Sequence, residues 1–319
     1  MSCEKLLRFF PLISEYEELR LSYIANCVLN IFLNYTAVML NILTIYAIRK
    51  TSPLPKTTKT LLVSLSVSDV GVGLVVQPFY SSLLVNWLQQ GSISCYTCRV
   101  FLIIGFLIFQ ASFLGVMAVT VDRFLAVYLH LRYQQLVTHK RIVAVVTSIW
   151  VFSAFASFIR LSGVRFIQPV IQYIGILLGL VVITGVYIKL YFVVRRHKTQ
   201  IQSLQVQRGP RGEITQTASR IKSAVAIFYV YVAFLVCCLP YVICVSVIQF
   251  NGPSVTLKGF HLFSLTLIFL NSSLNPLIYC WKMRHIRHAI VDILRTFSGK
   301  TFNVRLSYDR SSSVVHLDT

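Results

Sequence analysis

The residues able to do chemistry in this chain sit where water should be scarce. Asn271-Ser-Ser-Leu-Asn-Pro-Leu-Ile-Tyr279 closes a long apolar segment with two Asn, two Ser, a Pro and a Tyr. In hydrocarbon each unmet polar group costs several kcal/mol, so such residues persist only where neighbours or water satisfy them. Asp69, in Leu65-Ser-Val-Ser-Asp69, is the one carboxylate deep inside an apolar run, and an intramembrane acid is a functional candidate by default. A single carboxylate among neutral oxygens suits a hard cation or a water cluster. Asn41, Asp69, Ser112, Asn271, Ser272 and Asn275 all fall at mid-depth of their segments and are the expected members. A water-filled network that only packs helices predicts the same residues. A second constellation, Asp122-Arg123-Phe124, ends the third apolar segment, where the acid and interfacial water can satisfy the guanidinium.

The elements that must position these groups follow from composition. With 56% apolar and 13% charged residues and a mean hydropathy of +0.71, the 319-residue chain is too apolar for a soluble domain. It reads as an all-α membrane protein, a seven-transmembrane helix bundle with a C-terminal amphipathic surface helix. The expected spans are 23–48, 60–84, 96–129, 141–159, 168–194, 220–248 and 258–281, with Pro78, Pro240 and Pro276 as kinks or hinges. Residues 1–21 form an N-terminus before the 22–281 bundle. The stripe Trp281, Ile286, Ile290, Ile293, Leu294, Phe297 places an amphipathic helix over 282–297, lying on membrane lipid. The polar tail 298–319 is expected to be disordered and cytoplasmic.

Orientation comes from charge. All of the 30 Lys and Arg except Lys5, Arg8, Arg20, Arg99, Arg160, Arg165 and Lys258 fall on one set of alternate loops and the C-terminal tail. The positive-inside rule puts that side in the cytoplasm and the N-terminus outside, which requires an odd number of spans. The net charge of +20 therefore speaks of membrane orientation, and nothing in the chain forms a nucleic-acid-binding motif.

These motifs in this order resemble the rhodopsin-like, class A, G-protein-coupled receptors, whose last helix carries Asn-Pro-x-x-Tyr and whose second carries Leu-x-x-x-Asp; the resemblance spans about residues 22–297. It implies a cell-membrane receptor that binds an extracellular ligand and activates heterotrimeric G proteins when helix 6 swings outward. It implies no enzyme and no cofactor, with sodium as an allosteric ligand at Asp69, Ser112, Asn271 and Ser272. It gives Asp122, Arg123, Tyr187 and Tyr279 the G-protein switch, Phe234, Pro240 and Pro276 the hinge, and adds receptor kinase and arrestin as partners. Ser311, Ser312 and Ser313 beside Arg310 are the candidate phosphorylation sites.

The chain also departs from the family. Cys238 stands in Cys237-Cys-Leu-Pro240 where a Trp is usual, Gly179 stands where helix 5 usually has Pro, and Phe124 replaces a Tyr. The base of helix 6 near Arg220 has no acid for Arg123, which implies an easily opened cytoplasmic face and basal activity. Residues 99–236 contain no Cys, so Cys98 cannot bridge to the second outer loop. Cys95 pairs with Cys98, pairs with Cys3, or both stay free. The missing bridge and Pro are similar to melanocortin receptors, and Gly185-Val-Tyr187 to adenosine receptors, so the chain resembles the melanocortin, lysophospholipid, cannabinoid and adenosine cluster.

The ligand pocket is expected to open outward, with Gln77, Gly105, Gln172, Tyr241 and His261 as candidates. Gly105 falls where amine receptors keep an Asp, and the outer half offers Arg99, Arg160, Arg165, Lys258 and His261, so a neutral or anionic ligand fits better than a biogenic amine. The competing class is a transporter or channel using Asp69 as an ion site; it expects repeated halves, which the sequence lacks. No paired-carboxylate, metal-spacing or nucleophile-base set points to an enzyme.

Overall fold

A computed structural model describes residues 8–51, 54–92, 94–129, 132–159, parts of 175–195, and 211–297, with side chains in the last stretch from 224 to 296. Every regular element among them is helical. In chain order these are α1 (Tyr16–Lys50), α2 (Lys56–Leu88), α3 (Cys95–Tyr128), α4 (His139–Ile159), α5 (described residues within 175–195), α6 (Arg211–Asn251), α7 (Val255–Lys282) and α8 (Arg284–Phe297). Among the described residues, α1, α2, α3, α4, α6 and α7 contain stretches long and apolar enough to cross a membrane. The expected ends of the spans hold to within a few residues for α2, α3, α4 and α7. Both α1 and α6 run one to three turns further, because polar residues outside the hydrocarbon continue a helix that interfacial water can solvate. Among the expected features, the tail from Ser298 and Gln172 lie outside the described residues.

Local chemistry sets the ends. The hydroxyl of Ser94 accepts from the Tyr96 amide at 3.3 Å to open α3, and that of Ser254 accepts from the Leu257 amide at 3.3 Å to open α7. Within α2, residues Val72–Val76 form a π turn, in which the Gln77 amide bonds to the Val72 carbonyl. Pro78 accounts for it: the ring has no N–H to donate and crowds the carbonyl four residues back, and a widened turn relieves both problems. The kink expected at Pro78 is thus spread over the turn before it.

Two apolar clusters bracket a polar layer. The inner one gathers Ile48, Leu61, Leu62, Leu65, Val116, Ile227 and Tyr279, and the outer one Tyr23, Tyr80, Trp87, Phe101 and Phe269. Helix α8 joins the inner cluster through Ile286, Ile290 and Ile293, after Met283 breaks the α7 geometry at φ −106°, ψ 94°. Only part of its expected lipid-facing stripe stays outside: Trp281 and Leu294 are exposed, and the Lys282 ammonium lies 3.4 Å from the Trp281 ring centroid. 

Gly73 sets the spacing of α1 and α2. A Cβ there would lie 2.6 Å from Val38 Cγ2 and 3.3 Å from the Asn34 carbonyl oxygen. Gly73→Leu is therefore expected to destabilise the bundle by about 1–3 kcal/mol through overpacking. A fluorescence melting curve of the purified protein checks this, and an unchanged midpoint would contradict so close an approach.

Candidate functional site

The polar layer is assembled from three helices by one backbone defect. Pro276 gives α7 no amide to bond to the Ser272 carbonyl one turn earlier, and that carbonyl accepts instead from Asn41 Nδ2 of α1 at 2.8 Å. The same Asn41 nitrogen also donates to the Ala37 carbonyl at 2.9 Å. Next along α7, Asn275 Nδ2 donates to Asp69 Oδ2 of α2 at 2.8 Å, and the Ser272 side chain faces the same carboxylate. Asp69 and Asn41 are fully buried and Asn275 nearly so.

Ser112 and Asn271 join this layer from the other side, together with Ser272, by lining a cavity of about 120 Å³ between α2, α3, α6 and α7. The structure thus links Asn41, Asp69, Ser272 and Asn275 directly and sets Ser112 and Asn271 in a cavity wall that Ser272 shares. Four buried acceptors in this layer, Oδ1 of Asn41, Asp69, Asn271 and Asn275, have no protein donor within hydrogen-bonding distance. Oxygen acceptors lacking donors are what water or a hard cation requires, so the donor set fits sodium as well as water.

At the C-terminal end of α3, Arg123 and Asp122 are both buried. Arg123 Nη2 and Nε donate to Asp122 Oδ2 at 2.5 and 3.0 Å, and Nη2 also donates to the Thr58 hydroxyl of α2. The other carboxylate oxygen, Asp122 Oδ1, accepts from the Tyr133 hydroxyl at 2.6 Å. Tyr133 lies in a short helical turn, Tyr133–Leu136, between α3 and α4. Burial, and next the neighbouring Asp122 charge, push its phenol up to about 12, so it remains a donor at neutral pH. Among the described residues, Arg123 is therefore held by Thr58 of α2 and by Asp122 of its own helix.

Of the remaining switch and hinge residues, Tyr187 and Phe234 pack where α3, α5 and α6 meet. The Tyr187 hydroxyl lies 3.0 Å from Thr120 Oγ1, and its ring stacks on Tyr231 at 4.8 Å. The Tyr279 hydroxyl is buried without a protein partner. Phe234, one and a half turns below Pro240, packs against Phe109 and Phe113 at 6.0 and 5.6 Å. Gly179 makes room for this contact, since a Cβ there would lie 2.7 Å from the tip of Phe113.

Of the expected pocket residues, Gly105 and Tyr241 line the cavity. Gln77 is fully buried outside the lining, and neither of its side-chain polar atoms has a protein partner. His261 lies beside the lining, its ring 5.3 Å from Phe9 and 5.5 Å from Tyr241. Lys258, expected as an outer cation, is held by both carboxylate oxygens of Glu15 at 2.7 and 2.9 Å. Cys95 is disulfide-bonded while Cys98 is a buried free thiol, so the two do not pair with each other.

Sequence reasoning missed a second polar seam. Asn30 Nδ2 of α1 donates to Thr266 Oγ1 of α7 at 2.9 Å, and that hydroxyl donates to Asn26 Oδ1 at 2.5 Å. Thr36 and Ser273 hydroxyls meet at 3.0 Å further in. The four-residue spacing of Asn26 and Asn30 on one helical face was the available signal. Thr58 and Tyr133 were also missed, and nothing in their local sequence marks them.

The chain is similar to curated receptors along most of its length. It is 24% identical to adenosine receptor A2b of Gallus gallus over 313 residues, covering 86% of this chain and 89% of that protein. It is 24% identical to adenosine receptor A3 of Ovis aries, covering 83% of this chain and 88% of the relative. Against adenosine receptor A2a of Cavia porcellus the identity is 24%, covering 82% and 70%. The pattern described as 7 transmembrane receptor (rhodopsin family) matches residues 40–168 and 163–279. Matched over more than half its length and built around a polar layer closed by Pro276, this chain belongs to the rhodopsin family of seven-transmembrane receptors.

Proposed function

We propose that the protein is a plasma-membrane receptor, N-terminus outside, that binds a neutral or anionic extracellular ligand and activates heterotrimeric G proteins by outward movement of the inner part of α6. The observation that carries this reading is one continuous column. A cavity between α2, α3, α6 and α7 has Ser112, Asn271 and Ser272 in its wall. Ser272 belongs to the Asp69–Asn275 layer, and α2 leads from Asp69 inward to Thr58, which holds Arg123. A ligand that differs in affinity for two packings of these helices biases the Arg123 end by that difference.

Asp69, Ser112, Asn271 and Ser272 would hold a sodium ion in the resting arrangement. Such an ion would supply positive charge opposite the Asp69 carboxylate. Pro240 removes one α6 hydrogen bond above Phe234 and gives the helix its hinge. Receptor kinase and arrestin acting on Ser311, Ser312 and Ser313 complete the reading.

Guanine-nucleotide exchange on a panel of purified G proteins, with the full-length receptor in lipid nanodiscs, tests it. Catalysed exchange on at least one G protein is expected, and it should vanish in Arg123→Met. Exchange no faster than with empty nanodiscs across the panel, with and without lipid, nucleoside and peptide libraries, would refute the signalling function.

A further inference from the structure

The cavity's chemistry narrows what it can hold. Val76, Phe101, Phe109, Phe234 and Phe269 supply carbon walls, and among the described residues no Asp, Glu, Lys, Arg or His lines it. Polar groups gather at the deep end, where Ser112, Asn271 and Ser272 lie and Asn271 Oδ1 is a buried acceptor without a protein donor. Gly105 keeps the middle open: a Cβ there would first meet Val76 Cγ1 at 3.7 Å.

The outer end is bordered by the N-terminal segment. Trp87 Nε1 donates to the Pro11 carbonyl at 3.3 Å, the Tyr16 hydroxyl donates to the Leu88 carbonyl at 3.1 Å, and Phe9 stacks towards His261, which touches the cavity wall at Tyr241. Glu15 already neutralises Lys258 there. An anion entering the cavity would find no lining cation and would approach Asp69 beneath the floor. A nucleoside, with polar groups around its whole edge, would leave most of them against carbon, at a cost of about tenfold or more in affinity for each.

We propose that the ligand is a neutral, mostly hydrocarbon molecule with one terminal hydroxyl or amide N–H, which it donates to Asn271 at the cavity floor. This rests on the receptor reading above and deepens it by naming the ligand class. Hydrocarbon fills the aromatic walls, and the single donor meets Asn271 Oδ1, the one of the four orphaned acceptors of the polar layer that belongs to a lining residue.

The test reads occupancy alone, so its failure and a failure of G-protein coupling are separable. Cys238 lines the cavity and serves as the reporter. In full-length receptor carrying Cys237→Ala, alkylation of Cys238 by a small uncharged maleimide is followed by mass spectrometry. A long-chain fatty alcohol should slow it at least tenfold. The matched alkane should do so less, and the matched carboxylate and adenosine should have no effect.

Gly105→Leu, which fills the cavity, should remove protection, and Asn271→Ala should erase the preference for alcohol over alkane; melting curves establish that both variants fold. Photolabelling with a diazirine analogue of the alcohol provides a second reading, with label expected on Phe109 or Phe234 and lost in Gly105→Leu. Protection by adenosine or the carboxylate equal to that by the alcohol would overturn the proposal, as would absence of both protection and cavity labelling by the alcohol.

Discussion

Asp69→Asn is expected to abolish the effect of sodium on basal nucleotide exchange. In the unaltered receptor, replacing KCl by NaCl at constant ionic strength should lower exchange about fivefold or more, the span of a typical coupling between two sites. Matching ionic strength removes screening as an explanation. The Asn variant keeps the size of the side chain and an oxygen acceptor near Asn275, so the α2–α7 contact is largely retained. It loses the only full negative charge in the layer, and neutral oxygens alone hold sodium weakly. Equal exchange in the two salts before mutation would leave water as the occupant of the layer and remove sodium from the mechanism.

Asp122→Ala should raise basal exchange about tenfold, in either salt. Its carboxylate receives two bonds from Arg123 and one from Tyr133, all in a buried setting. A charge-assisted hydrogen bond contributes roughly 1.5–3 kcal/mol, and 1.4 kcal/mol already changes a population ratio about tenfold. The freed Arg123 then becomes available to a G protein. Tyr133→Phe and Thr58→Val each remove one contact and should raise exchange by a smaller factor. Initial exchange rates at equal receptor density rank the three; Asp122→Ala behaving like the unaltered protein would show that this cluster does not restrain the receptor.

The same cluster shows what could be read from the sequence. Asp122-Arg123 is legible because an acid and a base at the end of an apolar run must satisfy each other. The lack of an acid near Arg220 was also legible, but its consequence was incomplete: Thr58 and Tyr133 supply restraint from α2 and a loop, through tertiary contacts with no periodic signature. Asn41, Asp69 and Asn275 were visible as polar residues in apolar runs, and their convergence followed from the need to satisfy them. The Asn41 bond to the Ser272 carbonyl required knowing which helix passes Pro276. Lys258 looked like a charge offered to a ligand because Glu15, 243 residues away, is brought beside it only by the fold. The outer pocket was the least legible part, since Gly105 and Tyr241 reach it while Gln77 turns elsewhere.

The π turn at Val72–Val76 explains part of that last difference. Five residues there span a wider turn than an α-helix would give them, so everything from Gln77 outward is rotated by about one residue, roughly 100°, relative to an unbroken helix. Deleting a single Val from this run would let α2 close into a regular helix with Gln77, Tyr80 and Trp87 still facing the protein interior, whereas regularising the turn without a deletion would rotate them by about 100°. The outer third of α2 therefore keeps its own numbering phase, and a residue there corresponds to its counterpart in a receptor with a regular second helix only after a one-position gap.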